Sequence, residues 1–274
     1  MFPSTFHRAA KNTISQHALI NVHKYFHTTR TLHFTYSSDY VHKADTMRFT
    51  PDPEWTANNV EVTKIDVSKW ELSDKYVRVL SNILTKKECV ELILHSEDAG
   101  YEQAKVNTGK REVLMTDVRN NDRCIIDSPV TMNFVWQRLM LVCGDDANLM
   151  RASFKNDPRL HAVGLNGRMR ILRYVPGTYF TPHCDGRYTQ DAVHSCVTFQ
   201  LYLNEGFEGG STKLLNSRNR SEGFDVVPAT GSVLLFQHDV FHEGALLQQG
   251  RKYALRTDVM YATAGGAGPF MGAF

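Results

Sequence analysis

The second half of the chain consists of short runs of apolar and β-branched residues, and this pattern limits the fold more than any other feature of the sequence. Four runs carry it, namely residues 168–174, 197–203, 231–236 and 253–261. Turn residues separate them, namely Pro176-Gly177, Gly209-Gly210, Pro228 and Gly250. Many short strands divided by such turns are typical of a β-sandwich or barrel. An alternating segment at residues 76–80 predicts one more strand upstream.

Two helices are predicted before this β region. The first begins at a capping-box pattern of Thr85 and Glu88 and ends at Gly100. The second begins at Ser128-Pro129 and ends at Gly144. The first helix is expected to bury four apolar residues: Cys89, Val90, Leu92 and Ile93.

Composition narrows the classes of partner. The 274 residues are 42% hydrophobic, which is ordinary for a globular protein with a substantial core. Lys and Arg number 31 against 29 Asp and Glu, without long runs of one sign, so no nucleic-acid partner is expected. No apolar stretch approaches the length that spans a bilayer, so no membrane span is expected.

The cysteines predict a reducing intracellular compartment and argue against secretion. They are odd in number and form no C-x-x-C pair, which indicates neither a disulfide framework nor a structural zinc cluster. The five residues are Cys89, Cys124, Cys143, Cys184 and Cys196.

The N-terminal segment differs from the rest. Residues 1–38 contain ten Ser or Thr, four Lys or Arg and no acidic residue. This composition predicts a mitochondrial presequence, with a disordered extension as the equal alternative and a cytoplasmic or nuclear location in that case. A product that starts at Met47 would lack this segment. We predict an extension over residues 1–47 and a single folded domain over residues 48–274.

His183-Cys184-Asp185 is the motif with the clearest chemical potential. It follows Pro176-Gly177 in a stretch expected to be extended, where residues i and i+2 project to the same face. His183 and Asp185 can therefore bind one metal ion while Cys184 points away. A chain with 12 histidines contains about one H-x-[D/E] by chance. His95-Ser96-Glu97 has the same spacing, but in the first predicted helix its side chains diverge.

His242 is the predicted third ligand, because a sandwich can return it beside the first pair after the run that ends at Phe236. His238 is a competing candidate. Two imidazoles and one carboxylate leave adjacent positions of an octahedral ion open, which suits Fe(II) that binds a bidentate cosubstrate and O2. Zinc could use the same ligands, and a zinc hydrolase would need a general base, for which Glu243 is the adjacent carboxylate.

The segment 173–185 (RYVPGTYFTPHCD) resembles the core motif of prolyl 4-hydroxylases. Further segments appear in that family's order and approximate spacing: 198–204 (TFQLYLN), 207–212 (FEGGST), 228–231 (PATG), 242–244 (HEG) and 250–253 (GRKY). The helix that begins at Thr85 and the segment 119–123 (RNNDR) are similar to the family's N-terminal half. The resemblance covers residues 77–262.

The resemblance implies a mainly β, α+β fold: a double-stranded β-helix (jelly-roll) core at residues 165–262, flanked by N-terminal helices at residues 85–144. It implies a dioxygenase that couples decarboxylation of 2-oxoglutarate to hydroxylation of a carbon, with ascorbate as a further requirement. It assigns the Fe(II) ligands to His183, Asp185 and His242.

The resemblance also implies a cation for the distal carboxylate of 2-oxoglutarate about ten residues after the second histidine. Lys252 fits that place. Arg256 is the rival, because even-numbered residues of this strand share a face with Lys252 and a guanidinium suits a carboxylate. By the same resemblance Tyr202 and Tyr174 contact the cosubstrate, and Thr198, in phase with Tyr202, is assigned to the same pocket.

The segment 119–123 is expected to contact substrate, because its side chains offer many hydrogen-bond donors; a solvated turn is the alternative. The candidates are Arg119, Asn120, Asn121 and Arg123. We predict a peptidyl proline as the substrate. A non-proline residue, a free amino acid or another small metabolite would suit the same chemistry, and a non-catalytic binding module is the alternative from a different class.

Overall fold

A computed structural model of the chain describes residues 49–67, 75–109, 111–151, 159–216 and 218–263. The predicted N-terminal extension lies outside these residues, so the presequence and the alternative start at Met47 stay predictions. All five cysteines lie within the described residues, and all are free thiols. None of the described helices is long and apolar enough to cross a membrane.

The two predicted helices are confirmed. After a 3-10 turn at Ala57–Asn59, the helices are α1 (Lys86–Ala99), α2 (Pro129–Cys143) and the short α3 (Ala147–Met150). Thr85 and Glu88 form the capping box at the start of α1, and Ser128 accepts the backbone N–H of Thr131 at the start of α2. The prediction that Val90 is buried was wrong, because this residue is 46% exposed. Ser96 is instead buried on the face of α1 that packs against the core.

The described residues form eighteen strands. In chain order these are β1 (Val62–Lys64), β2 (Val77–Leu80), β3 (Glu102–Gln103), β4 (Val106–Asn107), β5 (Glu112–Val113), β6 (Asp122–Asp127), β7 (Leu160–Leu165), β8 (Arg168–Tyr174), β9 (Phe180–His183), β10 (Thr189–Gln190), β11 (Val193–Tyr202), β12 (Glu208–Gly209), β13 (Thr212–Leu215), β14 (Gly223–Val226), β15 (Val233–Gln237), β16 (His242–Gly244), β17 (Leu247–Gln249) and β18 (Lys252–Thr263). All of the predicted runs are strands or overlap strands.

Two antiparallel sheets form the core. The larger sheet has the order β1-β2-β15-β11-β18-β8-β6-β3, with β10 beside β11 and β7 beside β18. The smaller sheet has the order β14-β13-β16-β9, and β12-β17 and β4-β5 form separate pairs. The strand order departs from chain order at most positions, as the crossovers of a jelly roll require. The predicted double-stranded β-helix with flanking N-terminal helices is confirmed.

Alternation along β11 separates the two faces of the larger sheet. Phe199 and Leu201 are fully buried in the cluster that contains Leu92 of α1 and Leu139 of α2. Tyr202, the next residue along the strand, belongs to a second cluster, with residues of the smaller sheet. The helices therefore cover one face, and the other face is left for polar side chains between the sheets.

A buried ion pair fastens α1 to α2. Both carboxylate oxygens of Glu88 lie 2.7 Å from the guanidinium of Arg138, and both side chains are almost fully buried. The same carboxylate accepts the backbone N–H groups of Thr85 and Asp52 at 2.8 Å and 2.7 Å. Four donors thus satisfy one buried charge, which is the condition under which such a pair is tolerated.

We predict that Glu88→Ala lowers the free energy of unfolding by about 3–5 kcal/mol, because it leaves the guanidinium of Arg138 buried without its anion. Urea denaturation monitored by far-ultraviolet circular dichroism measures this change. Val90→Ala, on the exposed side of the same helix, is the control and should change the value by less than about 0.5 kcal/mol. Equal losses for the two variants would contradict the role of the pair.

Candidate metal centre

The three predicted metal ligands lie together where β9 and β16 pair. His183 and His242 are Cα partners across these strands. Nε2 of His183 is 3.9 Å from Oδ1 of Asp185, and Nε2 of His242 is 3.9 Å from Oδ2 of the same carboxylate. One ligand atom from each residue lies within 4.8 Å of the others. Strand pairing therefore brings residues that are 59 positions apart in the sequence around one point.

Both imidazoles are oriented by their own strands. Nδ1 of His183 lies 2.8 Å from the carbonyl oxygen of Thr181, and Nδ1 of His242 lies 3.0 Å from that of Val240. A carbonyl oxygen only accepts, so each Nδ1 carries the proton and each Nε2 has a free lone pair. This is the tautomer that a metal needs at Nε2.

Both imidazoles are neutral. Burial, together with the neighbouring imidazole of His242, lowers the pKa of His183 to about 3. Burial also lowers the pKa of His242. At neutral pH neither ligand has to lose a proton before it binds a metal ion.

Asp185 is ionised although it is buried. Burial raises the pKa of this carboxyl, but the positive charge of Arg256, the two imidazoles and a hydrogen bond from Thr198 outweigh it, so the pKa lies well below its usual value. Thr198 Oγ1 donates to Oδ2 at 2.5 Å, and Nη2 of Arg256 lies 3.2 Å from Oδ1. The group is therefore a carboxylate, the form that ligates a metal.

His238, the competing candidate ligand, lies behind the carboxylate and outside the triad. Its Nδ1 is 2.9 Å from Thr198 Oγ1, and its Nε2 is 2.8 Å from Ser195 Oγ. Because Thr198 donates its proton to Asp185, it must accept one from Nδ1, and Ser195 then donates to Nε2. The chain of hydrogen bonds fixes the Thr198 hydroxyl toward Asp185.

Lys252 is a buried cation that lines the same cavity as the metal ligands. Its side chain is 2% exposed, and Nζ donates to the carbonyl of Gly210 at 2.6 Å. Gly210 has φ +66°, a conformation that favours glycine. Nζ lies 4.9 Å from the ring centre of Tyr174 and 5.7 Å from that of Tyr202. Burial lowers the pKa of Lys252 to about 7.

Thr212 lines the cavity with Lys252, and Tyr202 contacts Thr212 from outside the lining. The Tyr202 hydroxyl donates to Thr212 Oγ1 at 2.8 Å, and Gln200 Nε2 donates to the same oxygen at 2.7 Å. Tyr174 is the Cα partner of Lys252 on β8 and is also buried. Tyr174 therefore lines the cavity with Lys252, whereas Tyr202 does not line it and contacts Thr212, which does.

Arg256 lies near the metal ligands. Its Nη2 is 3.2 Å from Asp185 and 3.2 Å from Oδ1 of Asp258. Among the described residues, neither Nη2 nor Nε of Arg256 has an aligned hydrogen-bond partner, although Nη2 forms both ion pairs. Two carboxylates thus already balance the charge of this guanidinium.

The four predicted substrate contacts have different surroundings. Asn120 bonds the backbone of Tyr179 and Gly177, and Asn121 is fully buried. Arg123 lies on β6, where it forms ion pairs with two glutamates at 2.8 Å and 3.1 Å, Glu112 and Glu102. Only Arg119 and Arg123 line the cavity with the metal ligands.

The cavity that joins these groups has a volume of about 630 Å³. His183, Asp185 and His242 line it together, and Lys252 and Tyr174 line it as well. It has room for more than one small organic molecule beside a metal ion. Glu243 follows His242 on the same strand, so it projects to the opposite face and does not line the cavity.

Several residues of this cavity were not predicted from the sequence, and three of them contact the groups described above. Arg170 is in phase with Tyr174 on β8, and Asp258 is in phase with Lys252 on β18, so strand alternation would have found both. Phe180 stacks on His183 with ring centres 3.6 Å apart. Nothing in the sequence indicates that stacking.

Residues 169–257 match the model of the 2OG-Fe(II) oxygenase superfamily, and they include all three candidate ligands and Lys252. This part of the chain is similar to that superfamily.

Solved structures of prolyl hydroxylases resemble the chain at low identity. A Pseudomonas putida prolyl-4-hydroxylase is 18% identical, with 71% of this chain and 96% of that chain covered and a TM-score of 0.49. A viral collagen prolyl hydroxylase from Paramecium Bursaria Chlorella virus-1 is 19% identical, with 69% and 97% covered and a TM-score of 0.46. A Trichoplax adhaerens prolyl hydroxylase in complex with a hypoxia inducible factor peptide fragment is 19% identical, with 69% and 85% covered and a TM-score of 0.49. A search of curated proteins gives no match.

The donor set fits the superfamily's metal. Two neutral imidazoles with free Nε2 atoms and one carboxylate are the ligands that suit Fe(II) with open coordination positions. The hydroxyl of Thr198 and the guanidinium of Arg256 give Asp185 a second layer of partners, as metal-binding carboxylates in proteins usually have.

We predict that His183→Ala weakens metal binding by more than about 100-fold, because loss of an outer partner alone costs 10- to 100-fold. Anaerobic calorimetric titration with Fe(II) measures the affinity. His95→Ala removes the histidine of the same H-x-[D/E] spacing on α1 and is the control that should leave the affinity unchanged. A parent-like affinity for His183→Ala would exclude this site.

Proposed function

We propose that the protein is an Fe(II)- and 2-oxoglutarate-dependent dioxygenase that hydroxylates a carbon atom of its substrate. In this proposal His183, Asp185 and His242 bind the iron, and Lys252 binds the distal carboxylate of 2-oxoglutarate. Tyr202 and Tyr174 flank that carboxylate. When both are bound, iron and 2-oxoglutarate supply the chemistry: O2 is consumed, 2-oxoglutarate becomes succinate and CO2, and one oxygen atom enters a C–H bond.

The buried ammonium of Lys252 is the observation that carries the proposal. A buried cation is unfavourable unless an anion pairs with it. Among the residues that the structure describes, no carboxylate forms an ion pair with Lys252, and its one hydrogen bond goes to a neutral carbonyl. A dicarboxylate that binds the metal at one end would supply the missing charge at the other.

Lys252 is favoured over Arg256 as the anchor by their surroundings. The guanidinium of Arg256 lies between Asp185 and Asp258, and its charge helps to keep Asp185 ionised. We propose that Arg256 orients the iron-binding carboxylate and that Thr198 does the same from the other oxygen. A zinc hydrolase is disfavoured, because Glu243 does not line the cavity.

We propose a peptidyl proline as the substrate to be tested first. The support is the resemblance of segment 173–185 and of the later segments to prolyl 4-hydroxylases.

Ascorbate, which would keep the iron reduced, is a further part of the proposed function. We also propose that the protein is located in a reducing intracellular compartment. This compartment is mitochondrial if residues 1–38 act as a presequence and otherwise cytoplasmic or nuclear.

The decisive experiment mixes the protein anaerobically with Fe(II) and 2-oxoglutarate, then admits O2 with ascorbate present. We expect a weak visible charge-transfer band before O2 and succinate afterwards, with both lost in His183→Ala. A panel of proline-containing peptides, analysed by mass spectrometry for the gain of one oxygen atom, tests the substrate. The proposal would be contradicted if the parent protein gave neither the charge-transfer band nor succinate and behaved like His183→Ala.

The binding of 2-oxoglutarate should weaken as pH rises. Lys252 must be protonated to bind a carboxylate, and burial lowers its pKa to about 7, so it loses its charge above that pH. We expect the KM for 2-oxoglutarate to rise about tenfold or more between pH 6 and pH 8.5. Lys252→Arg, whose guanidinium stays charged, should give a nearly flat profile. The same slope in both variants would show that another group titrates.

A further inference from the structure

The cavity around the candidate iron site is strongly basic. Among the described residues, its lining contains seven basic side chains and three carboxylates. The basic residues are Lys105, Arg119, Arg123, Arg170, Arg187, Lys252 and Arg256, and the acidic ones are Glu112, Asp185 and Asp258. The whole chain carries a net charge of only +2, so positive charge is concentrated here. Bound Fe(II) and the dianion 2-oxoglutarate cancel each other and leave the excess in place.

Most of these cations already have a partner or lie in solvent. Lys105 and Arg187 are exposed, so water screens their charges. Arg123 pairs with two glutamates, and Arg256 pairs with Asp185 and Asp258. In the proposed function, Lys252 pairs with the cosubstrate. Two cations of the cavity wall are left, Arg119 and Arg170.

Arg119 lies beside the metal ligands. Its Nε donates to Oδ1 of Asn121 at 2.8 Å, which fixes the guanidinium and leaves both terminal nitrogens for other acceptors. Its guanidinium carbon lies 4.6 Å from the ring centre of Phe180, and that ring stacks on His183. Within the described part of the chain, no carboxylate lies at ion-pair distance from Arg119. Burial lowers its pKa, the direction expected of a cation without a close anion.

Arg170 is the second incompletely paired cation. Its Nη1 lies 3.9 Å from Oδ2 of Asp258, beyond hydrogen-bond distance, while Arg256 approaches the same carboxylate at 3.2 Å. Among the described residues, this buried Nη1 has no hydrogen-bond partner. A buried guanidinium nitrogen without an acceptor is costly, and an entering anion would relieve that cost. Burial and the charge of Arg256 lower the pKa of Arg170 to about 10.

We infer that the substrate of this site carries a carboxylate close to the carbon that is hydroxylated, and that Arg119 and Arg170 bind it. The inference rests on the proposed function and narrows its substrate class to acids. Guanidinium groups bind carboxylates through paired, charge-assisted hydrogen bonds. Two sources have this chemistry: a small carboxylic acid, such as a free amino acid, and an acidic residue next to the target residue in a peptide.

The test compares acids with their neutral amides, which differ by a single charge. One pair is N-acetyl-L-proline and N-acetyl-L-prolinamide; the other is a blocked peptide with Pro-Glu and the same peptide with Pro-Gln. Each is titrated calorimetrically into the full-length protein under anaerobic conditions with Fe(II) and saturating 2-oxoglutarate, so that Lys252 is occupied. The first pair represents small acids, and the second represents acidic peptides.

We expect the acid of at least one pair to bind about tenfold to 100-fold tighter than its amide, because a charge-assisted hydrogen bond contributes that much. Arg119→Gln and Arg170→Gln should each reduce this preference about tenfold, and Arg119→Lys and Arg170→Lys should retain part of it. Arg168→Gln is the matched control on the same strand, because Arg168 pairs with Asp127 and does not line the cavity. Its preference should equal that of the parent.

Three results of the acid and amide titrations would overturn the inference: equal binding of acid and amide in both pairs, a preference that persists in both glutamine variants with parent-like circular dichroism, or a preference lost equally in Arg168→Gln. A rise in the Kd for 2-oxoglutarate in Arg119→Gln, without change in the acid preference, would assign that guanidinium to the cosubstrate and also overturn it. Succinate formation without an acid preference leaves the proposed function intact. An acid preference without any succinate supports carboxylate binding by the two arginines and counts against the oxygenase chemistry.

Discussion

The period-two alternation of side chains along β8, β11 and β18 is the constraint on which the rest of this structure depends. On β11, beyond the register shift between Ser195 and Val197, the odd-numbered residues Val197, Phe199 and Leu201 share a cluster with residues of α1 and α2. Tyr202 belongs to the cluster with residues of the smaller sheet. Register between the strands aligns these faces, so Tyr174 lies opposite Lys252, and Gln200 lies opposite Arg256. A shift of one residue in the strand pairing would turn the apolar side chains toward the cavity and the charged side chains toward the core.

This constraint explains how much the sequence could predict. Alternating runs and turn residues identified the strands of the jelly roll, and the capping patterns at Thr85 and Ser128 identified both helices. The same rule separated His183-Cys184-Asp185, on an extended segment, from His95-Ser96-Glu97, on a helix. These features are local, because each depends on neighbours within a few residues of the chain.

Features that depend on distant parts of the chain were harder to predict. Segment 119–123 offered four polar side chains, but only folding shows that Arg123 meets Glu112 and Glu102 across other strands. The choice between Lys252 and Arg256 likewise depends on Asp185, which folding brings to Arg256, and on Asp258, two residues away on the same strand. Val90 faces solvent because the core needs only one side of α1, and its apolar character did not reveal which. Charge balance within the cavity emerges only from these pairings.

The hydrogen bonds at Nδ1 of the two histidines have a consequence for metal choice. Each bond goes to a carbonyl two residues earlier in the same segment, so the imidazoles keep their orientation without help from an ion. Ligands that are arranged in advance accept any divalent ion that tolerates two nitrogens and an oxygen. Cobalt, nickel, copper and zinc generally bind such donors more tightly than ferrous iron does. If these residues bind a metal, its identity therefore depends on which ions the surroundings of the protein supply, and zinc would compete directly with iron.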